Sequence, residues 1–159
     1  MPLTLADTMK PQRDVSPVIA SDVTIPSDTV EARRVQGELE QMLQARHIHD
    51  HDIFSIKLAL EEALVNAIKH GNQMDRLKKV RIVSRIYSDR IEIDITDDGP
   101  GFDPGDVPDP TAFENLERPC GRGLMLMRHY MTEVAYSERG NTVTMSKIFR
   151  ANSSNNGKK

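Results

Sequence analysis

Glu62, Asn66 and Lys69 are the first residues whose types and spacing could carry out chemistry. On an α-helix, steps of four and three residues place the three side chains on one face. A carboxylate, an amide and an ammonium on a buried helix are costly unless each has a partner. Mg²⁺ and a polyphosphate would supply those partners, because Mg²⁺ takes oxygen ligands and keeps substrate phosphate in its shell. The alternative is a solvated face with ordinary i, i+4 pairing, which the helix taken alone slightly favours.

A second group, Asp97-Asp98-Gly99-Pro100-Gly101, ends a segment that alternates at period two. Parity places Asp97 on the same face as the isoleucines of residues 90–97, and Asp98 on the opposite, solvated face. An acid on an apolar face must form a hydrogen bond with some partner. Gly99 and Gly101 allow close backbone approach or a positive φ angle, which a plain turn also needs.

Gly121-Arg122-Gly123 form the third group, before an apolar helix predicted from Leu124 to about Met131. A Gly-x-Gly at a helix N-terminus offers N–H groups and the positive end of the helix dipole to an anion, although this motif alone is a weak signal. Residues 102–122 contain four prolines and few apolar groups. A connection of that length inside a small domain is either functional or disordered. The methionines of the helix are interpreted as core packing rather than a cofactor site.

His47, His49 and His51 alternate along the chain and raise the alternative of a metal site. Alternate residues do not share a helix face, so only an extended loop could bring them together. A solvated loop between two helices is the favoured interpretation. Asp50 is then predicted to cap the following helix, and Asp52 to complement the dipole of its first turn.

Hydrophobic periodicity predicts the elements that must position these groups. Apolar residues recur at helical spacing from Ile53 to Ala67, which places the first group on a largely buried central helix. The other predicted elements are an edge strand over 18–25, a helix from Ser27 or Asp28 to about Arg46, a hairpin of 80–87 and 90–97 joined by Ser88-Asp89, and a second hairpin of 134–137 and 141–149.

Length and composition predict one soluble domain over residues 21–150, with a mobile tail at 1–20 and a disordered tail at 151–159. The net charge of −3 gives no basic footprint for nucleic acid. A single cysteine, Cys120, excludes an internal disulfide and fits a reducing cytoplasm, and no chemical role is assigned to it. Neither a membrane span nor a signal peptide is predicted.

The order and spacing of the three groups are more specific than any one of them. Glu-x-x-x-Asn on a helix, a hairpin ending in Asp-x-Gly-x-Gly, a long loop and a Gly-x-Gly that opens a helix together resemble the GHKL ATP-binding superfamily. Within it, the chain is most similar to the stand-alone anti-sigma-factor serine/threonine protein kinases. The residues that carry this likeness are Glu62-Ala63, Asn66-Ala67-Ile68-Lys69-His70-Gly71 and Gly121-Arg122-Gly123-Leu124, with the methionine-rich helix that follows.

The resemblance covers about residues 21–150 and implies an α+β fold, a two-layer sandwich of a mixed β-sheet with helices on one face. It implies ATP and Mg²⁺ as cofactors, with Asn66 as a ligand of Mg²⁺ and Glu62 as the general base. Asp97 would accept a hydrogen bond from the adenine amino group, and residues 102–122 would form a lid over the nucleotide. The other implied nucleotide contacts are Lys69, Gly99, Gly101, Gly121, Arg122, Gly123, and either Asn141 or Thr142, where many relatives have a threonine.

The implied activity is phosphorylation of a serine on a small anti-sigma-factor antagonist protein, with a sigma factor as an alternative client. Two other functions stay open: a nucleotide-gated binding module without phosphate transfer, and a bare ATPase that uses water as acceptor. A complete histidine kinase is not expected, because the sequence lacks a dimerising pair of phospho-acceptor helices. No direct contact with nucleic acid or membrane is expected, and a homodimer is left open.

Overall fold

The computed structural model describes residues 16–101 and 119–150, except for the side chains of residues 119–122. Three helices, one π-helical turn and five strands make up this part of the chain. In chain order they are β1 (Ile19–Pro26), α1 (Thr29–Ala45), α2 (Asp50–Val65), the π-turn (Asn66–Gly71), β2 (Lys79–Ile86), β3 (Arg90–Asp97), α3 (Pro119–Tyr130), β4 (Glu133–Tyr136) and β5 (Thr142–Ile148).

The strands form one sheet in the order β1-β2-β3-β5-β4. The predicted edge strand and both predicted hairpins are present, and the α+β two-layer architecture is confirmed. One detail differs, because the resemblance implied a mixed sheet whereas every adjacent pair of described strands is antiparallel. The crossover through α3 makes β3 and β4 point the same way, but β5 lies between them, so these two strands do not pair.

The core lies between one face of the sheet and the helices. Register places Ile82 opposite Ile95 and Ile86 opposite Ile91, so the alternating isoleucines of β2 and β3 build a continuous apolar face. The predicted stripe of α2 packs in the same core: Ile53, Ile56, Leu60, Leu64 and Ala67 are all buried.

The opposite face of the sheet carries charged side chains. Arg85 bonds with Asp94 and Glu92 on the neighbouring strand, at 3.0 and 3.4 Å. This face therefore needs no helical cover, as is common for antiparallel sheets.

The start of α2 corrects one prediction. His49, not Asp50, is the N-cap, and its Nδ1 accepts a hydrogen bond of 3.1 Å from the His51 amide. Asp50 is therefore the first helical residue, where a carboxylate still complements the dipole. Asp52 is fully buried and accepts a 2.8 Å hydrogen bond from the backbone of Arg150, so it fastens the end of the described chain to α2.

Helix α3 begins earlier than predicted, at Pro119 instead of Leu124. Proline suits the first position of a helix, because its φ angle is already helical and the missing N–H would have no partner within the helix. The Gly121-Arg122-Gly123 motif therefore lies inside the first turns of α3 rather than before them.

The predicted N-terminal boundary is displaced by a few residues, because the Val18 amide bonds to the Ile86 carbonyl and β1 begins at Ile19. Residues 1–15 of the predicted tail at 1–20, residues 102–118 of the predicted lid over 102–122, and the whole predicted tail at 151–159 lie outside the described residues. Among the helices that are described, none is long and apolar enough to cross a membrane.

Candidate functional site

A cavity of about 120 Å³ opens between the end of α2 and the apolar face of the sheet. Helical residues form one wall, and β3 with the turn after it forms another. The turn between β4 and β5 closes the third side. The lining residues are Ala63, Asn66, Ala67, His70, Gly71, Ile95, Asp97, Pro100, Gly101, Tyr136, Gly140, Asn141 and Val143.

Asp97 is the acidic residue of this cavity. It lies at the end of β3 on the same face as Ile95, as parity predicted, and its Oδ1 accepts a 2.8 Å hydrogen bond from the Gly99 amide. Burial raises the pKa of Asp97 above the ordinary value of 3.8, while the Gly99 amide opposes this shift. An acceptor carboxylate with an elevated pKa in a largely apolar cavity is suited to a ligand that donates a hydrogen bond.

The helical wall of the cavity is formed where α2 changes into the π-turn. The wider π-turn still brings Ala67, His70 and Gly71 to the cavity. The turn ends with a 2.8 Å hydrogen bond from the backbone amide of Asn72 to the Ala67 carbonyl. π-Helical turns occur frequently at functional sites, because the extra residue reorients the side chains next to it. The helical periodicity of the sequence does not reveal this change from an α-helix to a π-turn.

Asn66 connects the cavity to a second group of polar atoms. A Cβ built at Gly123 on α3 would lie 2.5 Å from Asn66 Nδ2 and 3.1 Å from Glu62 Oε2. A side chain at this position would have to displace the Asn66 amide, so the backbone of α3 at Gly123 lies directly against both predicted polar side chains. Asn66 Nδ2 is buried and has no hydrogen-bond partner within the described part of the chain.

These residues fit Mg²⁺ and a polyphosphate. The buried amide of Asn66 offers a donor for a phosphate oxygen and, at Oδ1, an oxygen ligand for a metal. Glu62 contributes a carboxylate on the same side, and the start of α3 contributes the positive end of a helix dipole. A polar group that is buried without a partner is uncommon in a folded protein, and a ligand would satisfy it.

Most of the predicted site residues lie together. Asn66, Asp97, Gly101 and Asn141 line the cavity. Gly99 is buried behind Asp97, and Glu62 and Gly123 lie beside Asn66.

Two predicted residues lie elsewhere. Lys69 is exposed and does not line the cavity. Thr142 is on the opposite face of the sheet, where its hydroxyl bonds with that of Thr96 at 2.9 Å. Because side chains alternate along β5, Asn141 takes the position facing the cavity. The side chain of Arg122 lies outside the described part of the chain, and the structure gives only the place of Gly121 and Arg122 in α3.

Sequence reasoning missed several lining residues. His70 and Gly71 were part of the recognised motif but were given no role, and Tyr136 and Gly140 come from the second hairpin. The predicted second hairpin gave a usable signal for Tyr136 and Gly140. If β5 pairs with β3, the turn between β4 and β5 must lie beside the end of β3.

Two of the three alternate histidines, His49 and His51, have separate local roles. His49 caps α2, and the ring of His51 lies 2.9 Å from the guanidinium of Arg150. Within residues 16–101 and 119–150, no group of three or more His, Cys, Asp or Glu side chains is arranged to hold a metal ion.

Comparison with known proteins gives the family. Residues 25–147 match the family described as histidine kinase-like ATPase domain. Serine-protein kinase RsbW of Bacillus licheniformis is 34% identical over 106 residues, which cover 61% of this chain and 65% of that protein. Serine-protein kinase RsbW of Staphylococcus epidermidis is 34% identical over 107 residues, which cover 62% and 67% of the two chains. The matches therefore span about two thirds of the length of these curated relatives.

A solved structure supports the fold. The crystal structure of the RsbU and RsbW domains of a Mycobacterium tuberculosis protein superposes with a TM-score of 0.59 and 18% identity, over 85% of this chain and 34% of that one. The resemblance identified from the motifs is confirmed, and the chain belongs to the histidine kinase-like ATPase domain family.

Proposed function

We propose that this protein is an ATP-dependent serine/threonine protein kinase that acts as an anti-sigma regulatory factor. The observation that carries the proposal is the continuity of the site around Asn66. This residue lines the cavity that ends at Asp97, and it also lies beside Glu62 and Gly123. A nucleobase recognised at Asp97 would therefore have its phosphates directed toward Asn66 and the start of α3.

The base would bind in the cavity between Ala67 and Ile95. Asp97 would accept a hydrogen bond from the adenine amino group. Asn141 is held beside it, because its Nδ2 donates to the Asp97 carbonyl at 3.3 Å. An apolar cavity with a few convergent polar groups is typical of small-molecule sites.

The phosphates would lie against Asn66 and the glycine backbone of α3, where Asn66 Oδ1 would be a ligand of Mg²⁺. Mg²⁺, when bound, would neutralise part of the phosphate charge. The N–H groups at the start of α3 favour the same anion. Lys69, whose side chain is exposed, is proposed as a phosphate contact because of the family resemblance.

Glu62 would act as the general base. Its carboxylate would accept the proton of a serine hydroxyl on the partner protein while the hydroxyl oxygen forms a bond to the γ-phosphorus. The bond between the γ-phosphorus and its bridging oxygen then breaks, and ADP leaves with the electron pair. The products are a phosphoserine, ADP and the protonated carboxyl of Glu62.

The proposed partner is a small anti-sigma-factor antagonist protein, and a sigma factor is the proposed second client. Support comes from the motif resemblance and from the serine-protein kinase names of the relatives. The experiment is incubation of the purified chain with γ-labelled ATP, Mg²⁺ and the products of neighbouring genes. We expect label on a serine of one of them. ATP-dependent retention of a partner with no label would instead support a nucleotide-gated binding module, and release of inorganic phosphate alone would support a bare ATPase.

Truncation of Asn66 tests the metal and phosphate part of the site. We expect Asn66→Ala to abolish the Mg²⁺-dependent gain in ATP affinity, because the amide next to Gly123 is lost. The measurement is titration calorimetry with ATP in the presence and absence of Mg²⁺, with circular dichroism to establish that the fold is intact.

Gln44→Ala provides the control, since it removes an exposed amide at the end of α1. Equal Mg-ATP affinity in the parent and in Asn66→Ala would mean that Asn66 is only a packing residue of the α2 terminus.

A further inference from the structure

Asn72 is a buried polar residue that the proposed mechanism does not use. It follows the π-turn directly and is 0% exposed. A buried amide is stabilising only when its donors and acceptor are all satisfied, and here they are.

The side chain of Asn72 joins three separate segments. Its Oδ1 accepts a 2.8 Å hydrogen bond from the amide of Asp98, in the turn that follows β3. Its Nδ2 donates to Ser27 Oγ at 2.9 Å and to the carbonyl of Lys79 at 3.0 Å. Ser27 in turn donates to the Lys78 carbonyl at 2.8 Å. One amide therefore holds the turn after β3 against the end of β1 and the start of β2.

The backbone that follows Asn72 is strained. Gln73 and Met74 have φ angles of 52° and 59°, a left-handed conformation that non-glycine residues adopt rarely. Such strain persists only where the surrounding structure determines the conformation, and it is concentrated at functional sites. The bonds of Asn72, together with a 2.8 Å bond from the Met74 amide to the Ile68 carbonyl, hold this segment in place.

Asn72 is bonded to the residue next to Asp97, since its Oδ1 accepts the hydrogen bond from the Asp98 amide. The turn after β3 packs tightly on the π-turn, because a Cβ at Gly99 would collide with the carbonyl oxygen of Gly71. A Cβ at Gly71 would in turn collide with the carboxylate of Asp97. Because neither glycine has a side chain, the backbones of the two segments are in direct contact here. The hydrogen bond from the Asp98 amide to Asn72 lies at the same junction and joins the two segments.

We propose that Asn72 is a positioning residue for nucleobase recognition: it holds the turn after β3 so that the Asp97 carboxylate faces the adenine amino group. The inference rests on the proposed function, since it assigns Asn72 to the same ATP site. It goes further by making discrimination between ATP and GTP depend on a residue that does not line the cavity.

The test uses two substitutions with different consequences. Asn72→Ala leaves the Asp98 amide without its acceptor, whereas Asn72→Asp keeps an acceptor and loses both donors. We expect Asn72→Ala to weaken ATP binding by about tenfold and to bring the ratio of ATP to GTP affinity close to one, because a bond that orients Asp97 is lost. Asn72→Asp should keep most of the parent's ratio, although both substitutions lower the melting temperature.

Ser27→Ala is the matched control. It removes the hydroxyl that bonds to Asn72 Nδ2 and to the Lys78 carbonyl, but leaves the bond between Asn72 and Asp98 in place. We expect it to lower the melting temperature and to leave the ratio of affinities unchanged. All affinities are measured by calorimetry at a temperature where circular dichroism shows each variant to be folded. If Asn72→Ala does not fold, Asn72→Ser replaces it, because a shorter side chain also deprives the Asp98 amide of its acceptor.

The outcomes separate the two proposals. A parent that does not prefer ATP to GTP contradicts the proposed function, and the inference falls with it. A parent with that preference, combined with a folded Asn72→Ala or Asn72→Ser variant that retains it, overturns the inference alone. A change of the ratio in Ser27→Ala as large as that in Asn72→Ala would also overturn it, since stability rather than position would then explain both.

Discussion

Replacing Glu62 with glutamine is expected to lower phosphate transfer to the partner by roughly 10²–10⁴-fold, the loss typical of a missing general base. The affinity for Mg-ATP should stay nearly unchanged. Glutamine has almost the same shape as glutamate, so the packing against Gly123 is retained. An amide cannot accept a proton from the serine hydroxyl, so only the chemical step is affected. Single-turnover transfer of labelled phosphate, together with calorimetric affinities, separates the two effects.

Glu61→Gln is the matched control for this prediction. Glu61 is exposed, whereas Glu62 is partly buried beside Asn66 and the start of α3. Adjacent helical residues point about 100° apart, so Glu61 should not substitute for Glu62. We expect Glu61→Gln to transfer phosphate at nearly the parent rate. If Glu61→Gln were the damaging change, the assignment of the motif to α2 would be in the wrong register.

The elements that the sequence predicted well are those determined by local pattern. The buried face of α2 follows from apolar spacing over many residues, and the β2–β3 hairpin follows from alternation on both sides of a two-residue turn. Parity along β3 also placed Asp97 on the apolar face, where the structure has it. Each of these inferences needed only neighbours close in sequence.

The features that were missed depend on contacts distant in sequence or on details of the backbone. Tyr136 and Gly140 reach the cavity only because β5 inserts between β3 and β4, which no local pattern encodes. The choice of Asn141 over Thr142 is likewise determined by register with β3, where Thr142 pairs with Thr96. The π-turn that begins at Asn66 has the same apolar spacing as an α-helix in the sequence, so periodicity could not reveal it.

Asp97→Asn is expected to weaken ATP binding by about 1.5–3 kcal/mol, the range for a buried hydrogen bond to a charged group. Adenine presents an amino donor where guanine presents a carbonyl acceptor, so the parent should bind GTP poorly. An asparagine amide can donate to that carbonyl, and the variant should therefore lose part of its preference for ATP. Calorimetric titrations of parent and variant with both nucleotides test this expectation, and equal affinity of the parent for ATP and GTP would contradict the assignment of Asp97.

Stability measurements distinguish this functional role from a structural one. Burial raises the pKa of Asp97, so the folded protein binds its proton more tightly than the unfolded chain does. The ionised carboxylate therefore costs stability as the pH rises from the ordinary value of 3.8 through the raised pKa, and the cost is fully present above the raised pKa. Asp97→Asn removes this cost and should leave the free energy of unfolding at pH 7 unchanged or higher. Asp98→Asn is the control, because Asp98 is exposed and its carboxylate bonds to the Lys79 amide. This control should retain the ATP affinity of the parent. A loss of both stability and ATP affinity in Asp97→Asn would show that the carboxylate supports the fold instead of the nucleotide.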